Sequence, residues 1–152
     1  LWHYDFITYS LILMFALLAS LILVYLRLDI GRAAVSVKEM ALVHLPFSVY
    51  LGWISIATIA NVSVALTAVG WDGWGIEASA WAVAIICVAL LLSFAVLALR
   101  KDIAFCLVVV WALVGIMAEQ SAHESIVLAS QVSMVLLLVA IGVTVATSRL
   151  KR

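Results

Sequence analysis

The sequence has few charged residues, and this shortage decides its class. Asp, Glu, Lys and Arg make up 11% of the 152 residues and hydrophobic residues make up 68%, whereas a soluble domain is about 25% charged and about 45–50% apolar. A water-soluble fold of this size has too little interior to hide so much apolar surface. The composition excludes a soluble domain and predicts an all-α polytopic membrane protein, because helices satisfy their own backbone hydrogen bonds in lipid.

Cysteine and proline are also scarce. Cys87 and Cys106 lie inside hydrophobic segments and form no C-x-x-C pair, which excludes a thiol-exchange or zinc motif of that kind. Their predicted depths differ by roughly 15 Å, whereas a disulfide joins Cα atoms within about 7 Å, so we expect two free thiols. The single proline, Pro46, is expected to kink or break a helix, because it lacks the N–H used in a helix interior.

Residues that carry catalysis or ion transport are missing from the hydrophobic segments. The sequence contains no HExxH, no G-x-S-x-G and no phosphate-binding glycine loop. Glu119 lies near the outer end of the fourth predicted span, and no other Asp, Glu, Lys or Arg lies within a span to move protons or ions. His3, His44 and His123 lie near span ends, where a solvated histidine is the usual case, although His3 or His123 could ligate an interfacial tetrapyrrole. We predict neither an enzyme nor a coupled transporter, and no nucleic-acid partner.

Basic residues are absent from every second gap between the hydrophobic segments. Short loops that contain Lys and Arg stay on the cytoplasmic side of a membrane. The alternation therefore predicts five crossings, with Leu1 outside and the C-terminus in the cytoplasm. All eight basic residues fall in three of the six gaps, which hold Arg27, Arg32 and Lys38, then Arg100 and Lys101, then Arg149, Lys151 and Arg152.

The hydrophobic segments predict a bundle of five transmembrane helices in a single transmembrane domain. About 20 apolar residues are needed to cross the hydrocarbon core. Ser36 and Glu39 have the spacing of a capping box, so a short interfacial helix is predicted in the first inner loop. We also expect N-terminal helices to be missing before Leu1. The predicted spans are 6–26, 47–69, 80–99, 103–121 and 126–147.

The tryptophans fall into two groups by predicted depth. One group lies at the outer boundary of the membrane, where an indole keeps its ring in the acyl region and its N–H among the headgroups. Trp53 and Trp111 lie within the hydrocarbon depth, where an indole N–H seeks a partner or lines a pocket. The boundary group, an aromatic belt, consists of Trp2, Trp71, Trp74 and Trp81.

The second span is the most polar of the five. Small and hydroxyl residues let helices approach closely and hydrogen-bond to one another, so we expect this helix to be central in its bundle. Asn61 lies near mid-membrane, where we expect a neighbouring helix or a ligand to satisfy its amide. The polar and small residues of this span are Ser48, Tyr50, Gly52, Ser55, Thr58, Asn61, Ser63 and Thr67.

The segment HLPFSVYLGWISIATIAN at 44–61 resembles the last helix of the translocator-protein family, also called TspO or tryptophan-rich sensory proteins. In that family a proline precedes a Trp, an Ala follows the Trp by four residues and an Asn follows it by eight. Trp53, Ala57 and Asn61 keep this spacing. LWHYDF at 1–6 similarly resembles the end of the family's third helix, so the first span would be its fourth.

The resemblance has departures and covers roughly residues 1–66. Pro46 lies seven residues before Trp53, where the family usually has four, and the Trp expected just after Asn61 is absent. The resemblance suggests the C-terminal part of an enlarged bacterial member, with three spans added after the family core. It implies a location in the bacterial cytoplasmic membrane.

Two functions follow as hypotheses. Members of the family bind porphyrins and sterol-like molecules between helices, so the resemblance implies a membrane sensory or binding protein for a hydrophobic ligand, either a porphyrin-like tetrapyrrole or a lipid. Its candidate site residues are Tyr50, Trp53, Ala57 and Asn61. The alternative is a structural accessory subunit of a larger membrane complex, such as a photosynthetic or electron-transfer complex, which the absence of any catalytic set favours.

Overall fold

The computed structural model describes residues 7–150, and helices account for most of them. No strand occurs among these residues. The chain divides into two compact units, the first ending at Gly75 and the second beginning at Ile76. The all-α prediction is confirmed, and each helix lies within a few residues of its predicted span, except that the second begins earlier. The five helices are α1 (Ile7–Arg27), α2 (Val37–Ala68), α3 (Ala78–Arg100), α4 (Ile103–Glu119) and α5 (Glu124–Leu150).

Four of these helices are long and apolar enough to cross a membrane. They are α1, α2, α3 and α5, and the shorter α4 has 17 residues, which is about 26 Å of helix. The sequence predicted that this span would extend to residue 121, but α4 ends at Glu119, where the N–H of Gln120 closes the last turn on the carbonyl of Ile116 at 2.8 Å. This length is a few ångström less than the hydrocarbon thickness of a typical bilayer, about 30 Å.

Side-chain caps fix the starts of α2 and α4. The Ser36 hydroxyl accepts a hydrogen bond from the Glu39 N–H at 3.2 Å, so the cap predicted from their spacing is confirmed. The Asp102 carboxylate accepts from the Phe105 N–H at 3.1 Å. Lys101 is left-handed, with φ 55°, and it reverses the chain between α3 and α4. Such caps satisfy backbone donors that a helix start leaves unpaired.

The inner part of α2 differs from the prediction. The separate interfacial helix is absent, because residues 37–44 continue directly into the rest of α2. Met40–His44 is π-helical, and the Leu45 N–H bonds to the carbonyl of Met40, five residues earlier. A proline clashes with the carbonyl four residues before it in an α-helix, and local π turns are one way in which membrane helices absorb this conflict. The helix therefore passes Pro46 without breaking.

The first unit is built from α1 and α2, which pack against each other. The buried positions of α2 recur at alternating steps of four and three residues, which is the spacing of a close helix–helix seam. From Tyr9 onward, the buried residues of α1 are Leu21 and Tyr25, which lie one turn apart. The seam of α2 consists of His44, Ser48, Leu51, Ser55 and Thr58, with Gly52 and Ile54 beside it.

The second unit is a three-helix bundle in which α3, α4 and α5 all contact one another. Ser93, Cys106 and Ser130 are fully buried, at 0% exposure, and such small side chains let helix backbones approach closely. The Cys106 thiol donates to the Ser93 carbonyl at 3.6 Å, which joins α3 to α4. Cys87 is exposed and both cysteines are free, so the prediction of two free thiols is confirmed.

Candidate functional site

The four candidate residues share one face of α2. Tyr50, Trp53, Ala57 and Asn61 are spaced by three, four and four residues, which places them within about one quarter of the helix circumference. Tyr50 is 43% exposed and Trp53 45% exposed, and Ala57 and Asn61 are half-buried. At 100° per residue this stripe points roughly 130° away from the buried seam. We call these four residues the Trp53 stripe.

Two hydroxyl groups of the seam bond within their own helix. Ser55 donates to the Leu51 carbonyl at 2.8 Å, and Thr58 donates to the Ile54 carbonyl at 2.7 Å. The expectation of hydrogen bonds across the interface is therefore wrong for these two residues, because a short hydroxyl side chain in a helix easily reaches the carbonyl four residues back. Their contribution to the interface is small size rather than hydrogen bonding.

Asn61 follows the same pattern on the opposite face. Its Nδ2 donates to the Ala57 carbonyl at 2.8 Å, where we expected a neighbouring helix or a ligand to satisfy the amide. An asparagine side chain has two N–H donors and an oxygen acceptor, and this bond uses one donor. The Trp53 stripe therefore retains polar capacity at mid-helix, about 12 Å along the helix from Trp53.

Sequence reasoning missed His44. It was expected near a span end as a solvated side chain, yet it is 1% exposed, and its Nδ1 has no hydrogen-bond partner among the described residues. A buried polar atom without a partner costs about 1–3 kcal/mol. The steps of four and three that relate His44 to Ser48 and Leu51 were the signal that could have identified it as a seam residue.

The connection between α2 and α3 holds two of the predicted belt tryptophans in a defined turn. The rings of Trp71 and Trp74 lie edge to face, with centroids 5.5 Å apart and planes at 82°. The Asp72 Oδ1 accepts from the Trp74 N–H at 2.9 Å. Gly73, Trp74 and Gly75 all have positive φ, at 65°, 56° and 73°. The left-handed conformation costs a residue with a side chain about 1–2 kcal/mol.

The other sequence candidates are spread along the chain. Trp111 is 62% exposed on α4, Trp81 is half-buried and His123 is exposed. Trp2 and His3 lie outside the described residues. Within residues 7–150, no group of three His, Cys, Asp or Glu side chains is arranged to hold a metal ion.

Comparison with known proteins gives one match. The family model described as TSPO-like protein matches residues 1–143. No curated protein and no solved structure matches the chain. Because the family match extends from residue 1 into the fifth helix, it gives no support to the interpretation of the last three spans as additions to a family core. The chain is a polytopic membrane protein that belongs to the TSPO-like protein family.

Proposed function

We propose that this protein is a non-enzymatic membrane sensory or binding protein that holds a hydrophobic ligand against the Trp53 stripe of α2. The ligand class that fits best is a porphyrin-like tetrapyrrole, and a membrane lipid is the second. Membership of the TSPO-like family supports a binding role. The proposal is anchored in the resemblance to porphyrin-binding relatives, whose Trp, Ala and Asn spacing recurs at Trp53, Ala57 and Asn61.

The observation that carries the proposal is the separation of two polar faces on one helix. The seam residues of α2 are buried in packing, whereas Tyr50 and Trp53, on the same face as the Asn61 amide, remain more than two-fifths exposed. Packing within the first unit therefore leaves a large part of the Tyr50 and Trp53 side chains uncovered. Two aromatic rings supply a surface for a flat macrocycle, and the small Ala57 leaves the backbone open to close approach.

Fluorescence titration of protoporphyrin into the purified full chain tests the proposal. In Trp53→Leu the porphyrin Kd should rise about tenfold. The indole, through its stacking contact and the area that it buries against the ligand, contributes on the order of 1.5 kcal/mol to binding. Asn61→Leu should weaken binding by a smaller factor. The matched control is Thr58→Val, which changes a polar group on the buried face of the same helix and should leave the Kd unchanged.

Equal affinities in the wild-type chain, Trp53→Leu and Asn61→Leu would remove the stripe from the site. Loss of affinity in Thr58→Val alone would instead move the ligand to the seam. Helical content measured by circular dichroism separates either result from misfolding.

A second candidate function is that of an accessory subunit in a larger membrane complex. It is favoured by Gly115 on α4 and Gly142 on α5, where an added Cβ would meet no atom within 4 Å. Packing within the chain therefore does not require glycine there, and small residues on a helix surface permit close contact with another helix. Native electrophoresis after gentle solubilisation tests this function, and migration as a lone small species would contradict it.

The proposed orientation places the C-terminus in the cytoplasm of a bacterial cell and Leu1 on the outer side. It is supported by the confinement of all eight Lys and Arg to alternate gaps. Fusion of a reporter that fluoresces only in the cytoplasm to the C-terminus should give a fluorescent cell. A fusion protein that is present at normal abundance but does not fluoresce would show that the C-terminus lies on the outer side.

A further inference from the structure

The turn between α2 and α3 presents an aromatic surface beside a negative charge. Trp74 is 75% exposed, and its ring stands at 82° to that of Trp71. Two indole rings at nearly a right angle offer two walls to one rounded group. The negative face of an indole attracts a cation that lies within about 6 Å of the ring centroid.

The carboxylate of Asp72 is fixed next to these rings. Its Oδ1 accepts a hydrogen bond from the backbone N–H of Trp74 at 2.9 Å, so the charge stays at the base of the exposed indole. Asp72 itself is exposed. A carboxylate and an aromatic face at one place both favour a cation, and both disfavour an anion.

The chain offers no basic side chain nearby in sequence to occupy this place. Between Lys38 and Arg100 the sequence has no Lys or Arg, and the segments at 1–6 and 119–125, which are predicted on the same side of the membrane, have none either. No Lys or Arg close in sequence to this turn therefore competes with an external cation for the Trp71 and Trp74 rings.

The backbone of the turn does not account for tryptophan at position 74. Gly73 and Gly75 adopt positive φ without strain, whereas Trp74 at φ 56° is a bulky residue in a conformation that suits glycine. The explanation for this residue therefore lies with its side chain, which the turn directs outward at the end of α2 farthest from Lys38.

From these observations we propose that Trp71, Asp72 and Trp74 form a binding site for a quaternary ammonium group. Such a group carries a positive charge on a rounded surface of methyl groups, so it contacts aromatic walls and a carboxylate without needing hydrogen bonds. The group comes either from a phosphocholine lipid headgroup or from a free cation such as choline. The site is separate from the Trp53 stripe and does not depend on the ligand proposed there.

The test uses the full chain labelled with 5-fluorotryptophan in nanodiscs of phosphatidylglycerol, which has no ammonium group. The fluorine resonance of Trp74 is assigned by its loss in Trp74→Phe. Choline should shift this resonance saturably, whereas 3,3-dimethylbutan-1-ol, its uncharged isostere, should not. An equal shift with the uncharged isostere would overturn the proposal, because it would show a merely apolar contact.

Two variants test the contributions of the Asp72 charge and of the Trp74 indole. Asp72→Asn keeps an oxygen acceptor for the Trp74 N–H but removes the charge, and it should weaken choline binding about fivefold. Trp74→Gly removes one indole without straining the backbone. In this variant the choline concentration that half-shifts the Trp71 resonance should rise at least about tenfold. Trp111→Phe, which changes an exposed tryptophan on α4, is the matched control and should bind choline normally. If the midpoint of the choline titration, the concentration at half of the full shift, were unchanged in Asp72→Asn, the proposal would also be overturned.

Repeating the titration in phosphatidylcholine nanodiscs identifies the source of the group. If lipid headgroups occupy the site, the choline midpoint should rise about tenfold or more relative to phosphatidylglycerol. If a free cation is the ligand, the two midpoints should agree. Both results support a quaternary ammonium site, and a resonance that choline does not move in either lipid would overturn it.

Discussion

The two units of the chain use similar polar side chains in different ways. In the second unit Ser93 and Ser130 are fully buried in the seams of a three-helix bundle, where small size serves close packing. In the first unit α2 has polar residues on two faces, and only one face is buried. Tyr50, Trp53 and Asn61 lie on the other. The comparison teaches that a polar residue in a membrane helix indicates a binding site only after packing has been accounted for.

The largest effect is expected in the core of the second unit. Leu137 is 0% exposed, whereas its neighbour Leu138 is 44% exposed. Leu137→Ala should lower the free energy of unfolding by about 2–3 kcal/mol, because the cavity removes van der Waals contacts. Leu138→Ala should change it by less than about 0.5 kcal/mol. Unfolding in mixed detergent, followed by circular dichroism, measures both, and equal effects would mean that the second unit lacks a packed core.

An intermediate effect is expected from the helix caps. Asp102→Ala should destabilise the second unit by about 1–2 kcal/mol, because it removes the buried acceptor of the Phe105 N–H. Asp102→Asn retains an acceptor and should cost less. In the first unit, Ser36→Ala should cost only about 0.5 kcal/mol, since this cap is exposed. The same unfolding assay compares them, and a larger loss in Ser36→Ala would reverse this ranking of the two units.

The smallest expected effect is a gain in stability. It concerns two buried side-chain atoms that have no hydrogen-bond partner among residues 7–150. His44 Nδ1 and Ser130 Oγ are both buried without a hydrogen bond. His44→Leu and Ser130→Ala should each be neutral or stabilising by up to about 1 kcal/mol, because each removes an unsatisfied group. A loss of more than about 1 kcal/mol in His44→Leu, with Ser130→Ala neutral, would show that the histidine has a partner in the membrane that the serine lacks.

The sequence was sufficient to predict the helices because the pattern of apolar runs and charged gaps depends only on local composition. The span predicted at 80–99 is α3, Ala78–Arg100, and the Ser36 cap was predicted from spacing alone. The motif of Trp53, Ala57 and Asn61 indicated that α2 has the candidate site, and the role of this motif in binding stays a prediction. Family membership was predicted from that motif and is confirmed over residues 1–143.

Three features could not be predicted in the same way, because each depends on contacts beyond local pattern. The burial of His44 depends on the packing of α2. The bond from Asn61 to the Ala57 carbonyl depends on a rotamer, which sequence does not specify. The left-handed Trp74 lies between two glycines that predicted a turn, yet a turn signal does not state which residue adopts the unfavourable conformation.

The π-helical turn at Met40–His44 has a consequence for how α2 tolerates changes in length. A π turn closes its hydrogen bond over one residue more than an α turn, so this segment holds the equivalent of one inserted residue. Deleting one residue there would return the turn to α-helix and keep the direction of the face on which Trp53 lies, but it would also restore the clash between Pro46 and the carbonyl four residues before it. Deleting one residue further along α2 would rotate everything beyond it by about 100°. A residue can therefore be removed at the start of α2 without turning Trp53 away, provided that Pro46 is replaced in the same variant.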